Sequence, residues 1–155
     1  MTPVSTDDLR RLTQTVRREI PLAGAMEIEA LFFDARGLCL RAPLAPNVNH
    51  KLTAFGGSLA NVATLAGWGL VQLLVRELGF PVIVVIQECR VQYLQPVASD
   101  IEALALLPDA DRIDKFLRTL TRHGRARLEI DAHIPANGEP AVIFSGQFVA
   151  TRHGH

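Results

Sequence analysis

Leu52–Val75, LTAFGGSLANVATLAGWGLVQLLV, decides how this chain is read: 24 consecutive residues without Asp, Glu, Lys, Arg or His. The apolar run predicts one long helix from about Phe55 to Leu78, closed by Gly79 with Pro81 beyond it. Its length would suffice to span a membrane. Against spanning, it carries Thr53, Ser58, Asn61, Thr64, Gln72 and four glycines, and its flanks lack the Lys/Arg asymmetry that orients a membrane helix. The reading that fits is a helix enclosed on nearly all sides by its own protein.

The rest of the chain has to supply that enclosure. At 155 residues and 17.0 kDa it is the size of one domain, and 48% hydrophobic residues are enough for a core. Sixteen basic and sixteen acidic residues balance, which removes the electrostatic footprint of a nucleic-acid binder or a polybasic membrane surface. Met1–Ile20 is polar and amphipathic and has no secretory pattern, so a cytoplasmic protein is expected. Cys39 and Cys89 match no zinc or disulfide spacing and read as core thiols, and no metal site is expected.

Before the apolar run, Ser5–Glu19 predicts a helix with Ser5 or Thr6 as cap and Leu9, Leu12, Val16 and Ile20 on one side. Ala25–Phe33 and Leu38–Ala42 read as a hairpin. After it, Val82–Leu94 opens with five apolar residues and reads as a strand buried on both faces. Ile101–Leu107 is a further strand, and a short helix follows through about Arg122, stopped by Gly124. Arg125–Ile134 and Ala141–Ala150 alternate as a final hairpin. Six strands and one apolar helix predict an α+β fold in which a curved antiparallel sheet wraps a long central helix.

Asn49-His50-Lys51-Leu52-Thr53-Ala54-Phe55-Gly56-Gly57-Ser58, followed by the strand end Tyr93-Leu94-Gln95-Pro96-Val97, resembles the hotdog-fold acyl thioesterases. Pro46-Asn47-Val48-Asn49 and Thr64-Leu65-Ala66-Gly67-Trp68 sharpen the likeness. They resemble a bacterial domain classed with the thioesterases and found alone or behind an acetyltransferase domain. The resemblance implies a single hotdog domain over 1–155, with residues 1–21 as an N-terminal helix and 22–150 as the core. It also implies an acyl thioester of coenzyme A or acyl carrier protein as substrate, no separate cofactor, and a homodimer or a dimer of dimers with each site at the subunit boundary.

Physical chemistry gives the motif a job. A helix start exposes free N–H groups and partial positive charge, and glycine lets a carbonyl approach them. Gly57, with Gly56 or Ser58 beside it, is the candidate oxyanion donor, although tight packing would also ask for the glycine pair. Asn49 has the spacing at which phenylacetyl-CoA-type hotdog thioesterases place an Asn ahead of His-Gly-Gly, and an Asx turn is the alternative. Phe55 stands where that family has its His, and Thr64 where it has its catalytic acid. A threonine can orient water but is a poor base, which leaves Glu88 or His50 to handle the proton. Glu88 reads equally as an ion pair with Arg90 or a solvated acid, and His50 as a solvated loop residue.

Ser58, Asn61 and Thr64 recur at helical spacing as a polar stripe, unless the hydroxyls bond back to the helix. Catalysis is therefore expected from Asn49, Gly57, Thr64 and Glu88, and substrate contacts from Asn47, His50, Phe55, Gly56, Ser58 and Asn61. A non-catalytic acyl-thioester binder is the alternative that the missing His and acid suggest. An enoyl-thioester hydratase would rest on Asn47 and His50 as stand-ins for an Asp and His pair.

Overall fold

A computed structural model describes residues 1–154. Helix α1, Thr6–Glu19, starts on a capping box in which the Ser5 hydroxyl accepts from Asp8 N–H and the Asp8 carboxylate accepts from Ser5 N–H. Pro21 does more than end it. It opens a short second helix, α2, Pro21–Ala25, which the sequence reading did not include, because proline is accommodated at the first helical position. Strands β1, Glu29–Asp34, and β2, Gly37–Ala42, form the expected hairpin.

The central helix α3, Gly56–Val75, stops short of the sequence estimate. A turn closes it, with Leu78 N–H donating to Val75 carbonyl at 3.0 Å, and Gly79 does not adopt positive φ. Strand β3 is Val82–Tyr93, β4 is Ile101–Leu106, and helix α4, Ala110–His123, ends on Gly124 at φ 70°. Strands β5, Arg125–Ala136, and β6, Glu139–Arg152, meet through Asn137 and Gly138, both at positive φ as a tight hairpin turn demands.

All pairings are antiparallel, in the order β1-β2-β4-β5-β6-β3, and the curved sheet holds α3 against it in the hotdog arrangement. Twelve of the twenty residues of α3 are buried, so the charge-free run is core and its polarity gap is explained by packing. The helix touches β2, β3, β4, β5 and β6. Glycine permits its closest approaches. A Cβ on Gly67 would lie 2.6 Å from the Phe148 ring in β6, and one on Gly69 would lie 2.9 Å from Leu38 in β2. Those two contacts define the inner face of the sheet.

One strand departs from its reading. Val82–Ile86 is not buried on both faces: β3 is the last strand of the sheet, and Ile83 and Val85 are 48% and 53% exposed. Its apolar, β-branched composition is therefore not satisfied within one chain. Of the two thiols, Cys39 is buried, and burial pushes it up to about 12, so it is inert as a nucleophile. Cys89 is exposed on the β3 edge, contrary to its reading as a core thiol.

Candidate active site

The loop before α3 is built by its two asparagines. Asn47 is 2% exposed, and its amide nitrogen donates to the Met26 and Pro43 carbonyls at 3.0 and 2.8 Å. Its own carbonyl accepts from Phe55 N–H at 2.7 Å, so Asn47 ties the helix entrance to the end of α2. Asn49 folds the loop on itself. Its Oδ1 accepts from Lys51 and Thr53 N–H at 2.8 and 3.2 Å, and its Nδ2 donates to the Thr53 hydroxyl at 2.9 Å. The Asx turn is thus the geometry adopted, and Asn49 acts by shaping the loop. A bridge from Val48 to Ala54 closes it, with Leu52 held at φ 62° at its tip.

A second anchor lies behind the loop. Asp100 accepts from Leu44 N–H at 2.9 Å and from Arg41, which also reaches Glu29 at 2.9 Å. The Leu44 N–H, and after it the guanidinium, hold the Asp100 carboxyl below the usual carboxylate range. The loop is consequently fixed at both ends before α3 begins.

At the helix start, Phe55 occupies the cap position and has no capping side chain to offer. Leu59 N–H is the first to find an intrahelical acceptor, the Phe55 carbonyl at 3.0 Å. Among the described residues, the N–H groups of Gly57 and Ser58 have no protein partner, as the first turn of an uncapped helix requires. The Phe55 ring folds over the first turn, where a Cβ on Gly57 would stand 2.4 Å from it. On the other side the Tyr93 hydroxyl donates to Gly56 carbonyl at 3.1 Å. Tyr93 was missed in the assignment of roles; the available signal was that the chain's one tyrosine sits in the strand end that carries the family likeness.

The polar stripe is real and largely unspent. Ser58 and Thr64 make no hydrogen bond to the helix backbone, whereas Thr13 and Thr119 do bond back, to Leu9 and Lys115 carbonyls at 3.0 and 2.7 Å. Among the described residues, the Asn61 amide nitrogen finds only the Met26 sulfur, at 3.9 Å. Trp68, farther along, is a packing residue whose indole N–H is satisfied by Val84 carbonyl at 2.9 Å. Gly57, Asn61 and Thr64 share one helical face, and none of the three is buried against the sheet.

The two candidate bases are placed differently. His50 is exposed on the loop beside Asn49. Glu88 pairs with Gln147, between Gly146 and Phe148, so it stands on the face of the sheet opposite to the one that packs on α3. It is exposed and makes no ion pair with Arg90. Within one chain, then, Gly56, Gly57, Ser58, Asn61, Thr64 and Phe55 are brought together on one helix, His50 is held on the loop leading to it, and Glu88 is not brought to them. Among the described residues no three His, Cys, Asp or Glu side chains form a metal-binding group.

The family described as "Putative thioesterase (yiiD_Cterm)" matches residues 9–152, which takes in the loop, the helix and every strand. The chain belongs to this family. A solved protein of unknown function from Chlorobaculum tepidum shares 33% identity at a TM-score of 0.87, over 93% of this chain and 94% of that one. A putative thioesterase from Shewanella oneidensis shares 32% at 0.86, over 95% and 99%. A thioesterase from Haemophilus influenzae shares only 16%, at a TM-score of 0.68 over 99% and 97%, a likeness of fold. In this member of the yiiD_Cterm family, the start of α3 carries two unpaired N–H groups, and the side chains of Phe55 and Thr64 on it are not ionisable.

Proposed function

We propose that this protein hydrolyses an acyl thioester of coenzyme A or of acyl carrier protein, at the start of α3. The observation that carries the reading is the pair of unpaired N–H groups of Gly57 and Ser58, continued from Gly57 along one helical face by the polar groups of Asn61 and Thr64, while the Ser58 side chain is buried. A thioester carbonyl set against Gly57 N–H gains stabilisation as its oxygen becomes negative, which is where preorganised donors lower a barrier. Water, oriented by Thr64, adds to the carbonyl carbon. The tetrahedral intermediate then collapses, breaking the C–S bond and releasing a carboxylic acid and a thiol. Of the two candidate bases His50 is favoured, since it shares the loop that enters the helix whereas Glu88 faces the other side of the sheet.

The working unit in this reading is a cytoplasmic homodimer, joined along β3 so that the exposed apolar residues around the helix start are covered by the second chain. A second reading, an acyl-thioester binder without turnover, draws on the lack of any base hydrogen-bonded to the stripe. Asn47 does not serve the hydratase reading, because its amide nitrogen is committed to two backbone carbonyls in the interior.

A panel of acyl-CoA and acyl-carrier-protein thioesters, run on wild type beside Thr64→Val and His50→Gln, separates the readings. Hydrolysis predicts a fall in kcat of about 100-fold for a lost proton-handling group and less for Thr64→Val, with KM little changed. Thermal stabilisation by acyl-CoA without product release in wild type would select the binding reading instead.

A further inference from the structure

The Gly57 N–H and the Gly56 carbonyl are opposite ends of one planar, resonance-coupled peptide group, so whatever binds one end acts on the other. The Tyr93 hydroxyl donates to that carbonyl at 3.1 Å, and it comes from β3 rather than from the helix. Helix geometry gives the same oxygen the Ala60 N–H as its intrahelical donor, and its second lone pair remains for the phenol. Among the described residues no side chain donates to the Phe55 or Gly57 carbonyls, so in the first turn the Gly56–Gly57 peptide alone is held in this way.

The phenol is placed by the fold. Beyond Tyr93 the chain is pinned, with Leu94 N–H donating to Ala141 carbonyl at 2.8 Å and the Gln95 amide to Ala136 carbonyl at 3.0 Å. Facing it, Ala54 N–H donates to Val97 carbonyl and Phe55 N–H to Asn47 carbonyl, both at 2.7 Å, so the strand end and the helix entrance stand in fixed register. The ring lies along Gly56, where a Cβ would be 3.6 Å from it, an ordinary contact. Nothing about this arrangement stabilises the core, since Tyr93 is 54% exposed.

Donation to an amide oxygen favours the dipolar resonance form of the peptide, which makes its N–H the stronger donor. At 3.1 Å the bond is longer than the usual O–H···O distance of about 2.7–2.8 Å, so it has room to shorten as negative charge gathers on a substrate oxygen at the other end of the peptide. An interaction that strengthens as the charge develops raises kcat and leaves ground-state binding alone. We propose that Tyr93 is a positioning residue for thioester hydrolysis: through the Gly56–Gly57 peptide it aims and strengthens the Gly57 N–H, making Gly57 rather than Ser58 the principal oxyanion donor. The inference rests on the thioesterase reading and deepens it by assigning the donor and the group that controls it.

The experiment measures kcat and KM over the panel of acyl-CoA and acyl-carrier-protein thioesters, together with the backbone ¹⁵N resonances of Gly57 and Ser58, in wild type and Tyr93→Phe. That variant keeps the ring and loses only the hydroxyl. A third sample is grown on 3-fluorotyrosine, which alters position 93 alone because the chain has one tyrosine, and which keeps the hydroxyl as a stronger donor. Removing an oxyanion donor outright costs about 100-fold or more, so weakening one should cost less: kcat in Tyr93→Phe is expected to fall about three- to tenfold. KM should be unchanged, the Gly57 resonance should move further than that of Ser58, and the fluorinated protein should match or exceed wild type in kcat. If wild type hydrolyses thioesters while kcat and the Gly57 resonance are the same in Tyr93→Phe, the Tyr93 assignment is overturned and the activity stands. A fall in kcat with a still Gly57 resonance, or a rise in KM alone, would overturn it too, because the hydroxyl would then act on the substrate directly. If wild type turns over nothing in the panel but the Gly57 resonance moves, the control of the Gly57 peptide by Tyr93 stands and the hydrolytic reading falls.

Discussion

Asn47 and Asn49 stand two residues apart, share a residue type, and are committed to different tasks. Asn47 joins three segments from the interior, while its Oδ1 is buried without a partner. Asn47→Ala removes both donated bonds and leaves the Met26 and Pro43 carbonyls short of a donor. The expected cost is about 2–4 kcal/mol by analogy with other buried polar truncations, read as a lower midpoint in urea at unchanged slope. Asn49→Ala loosens an exposed turn and should cost about 1 kcal/mol or less, with any loss of activity exceeding what the stability change explains. Equal destabilisation by the two would contradict this division. The sequence could not make it, because an isolated Asn in a Pro-rich loop is compatible with a turn, a ligand contact or a buried clamp. Burial, which separates them, depends on Met26 and Pro43 arriving from elsewhere in the chain. The position of Gly57 was legible for the opposite reason: it is the second residue of a helix, and the helix was the strongest pattern in the sequence.

At the scale of elements, some of the local signals were legible and others, at Pro21 and Gly79, were not. The helix cap, at Ser5 of the two residues that could serve, and the glycine stop at Gly124 each act within a few residues and are found where the sequence put them; the final hairpin is longer than read, its strands running to Ala136 and from Glu139. The interior glycines of α3 act at long range and were less legible. Gly67 lies where the helix meets the Phe148 ring, and Gly67→Ala would place a Cβ at 2.6 Å from it. Phe148 is fully buried, so the ring cannot swing into solvent. Overpacking of this kind costs about 1–3 kcal/mol. Trimming the ring in the double variant Gly67→Ala/Phe148→Leu should recover part of that loss, so a thermodynamic cycle between the two positions is expected to be non-additive. Additive losses would mean that helix and sheet do not meet at this point. A helix propensity scale predicts the reverse sign for the single variant, since alanine is favoured over glycine within a helix by about 1 kcal/mol. The measurement therefore decides which effect wins.

At the scale of the whole molecule, the misread strand is the informative one. Five apolar residues opening β3 suggest a strand covered on both faces, yet its outer edge is unpaired and Ile83 and Val85 are exposed on the face away from α3. A twelve-residue edge with these side chains is a pairing template, and proteins that remain monomeric usually blunt such an edge with lysine, proline or a bulge. Here the bulge between Ile86 and Glu88 interrupts β3 only near its middle. A two-fold axis normal to the sheet would join two β3 strands antiparallel, keep both copies of α3 on one face, and set the Tyr93 end of one strand beside the Val82 end of the other. The exposed Phe55, Tyr93 and Leu94 would then meet a second surface at the helix start, where a single chain offers no counterpart. Wild type is accordingly expected to elute as a dimer in light-scattering chromatography at micromolar concentration, and the pair Ile83→Lys/Val85→Lys as a folded monomer with unchanged far-UV circular dichroism. Specific activity should fall in that variant in proportion to the dimer lost and rise again with protein concentration. A wild type that stays monomeric while active at every concentration would mean that the site at the start of α3 is complete in one chain.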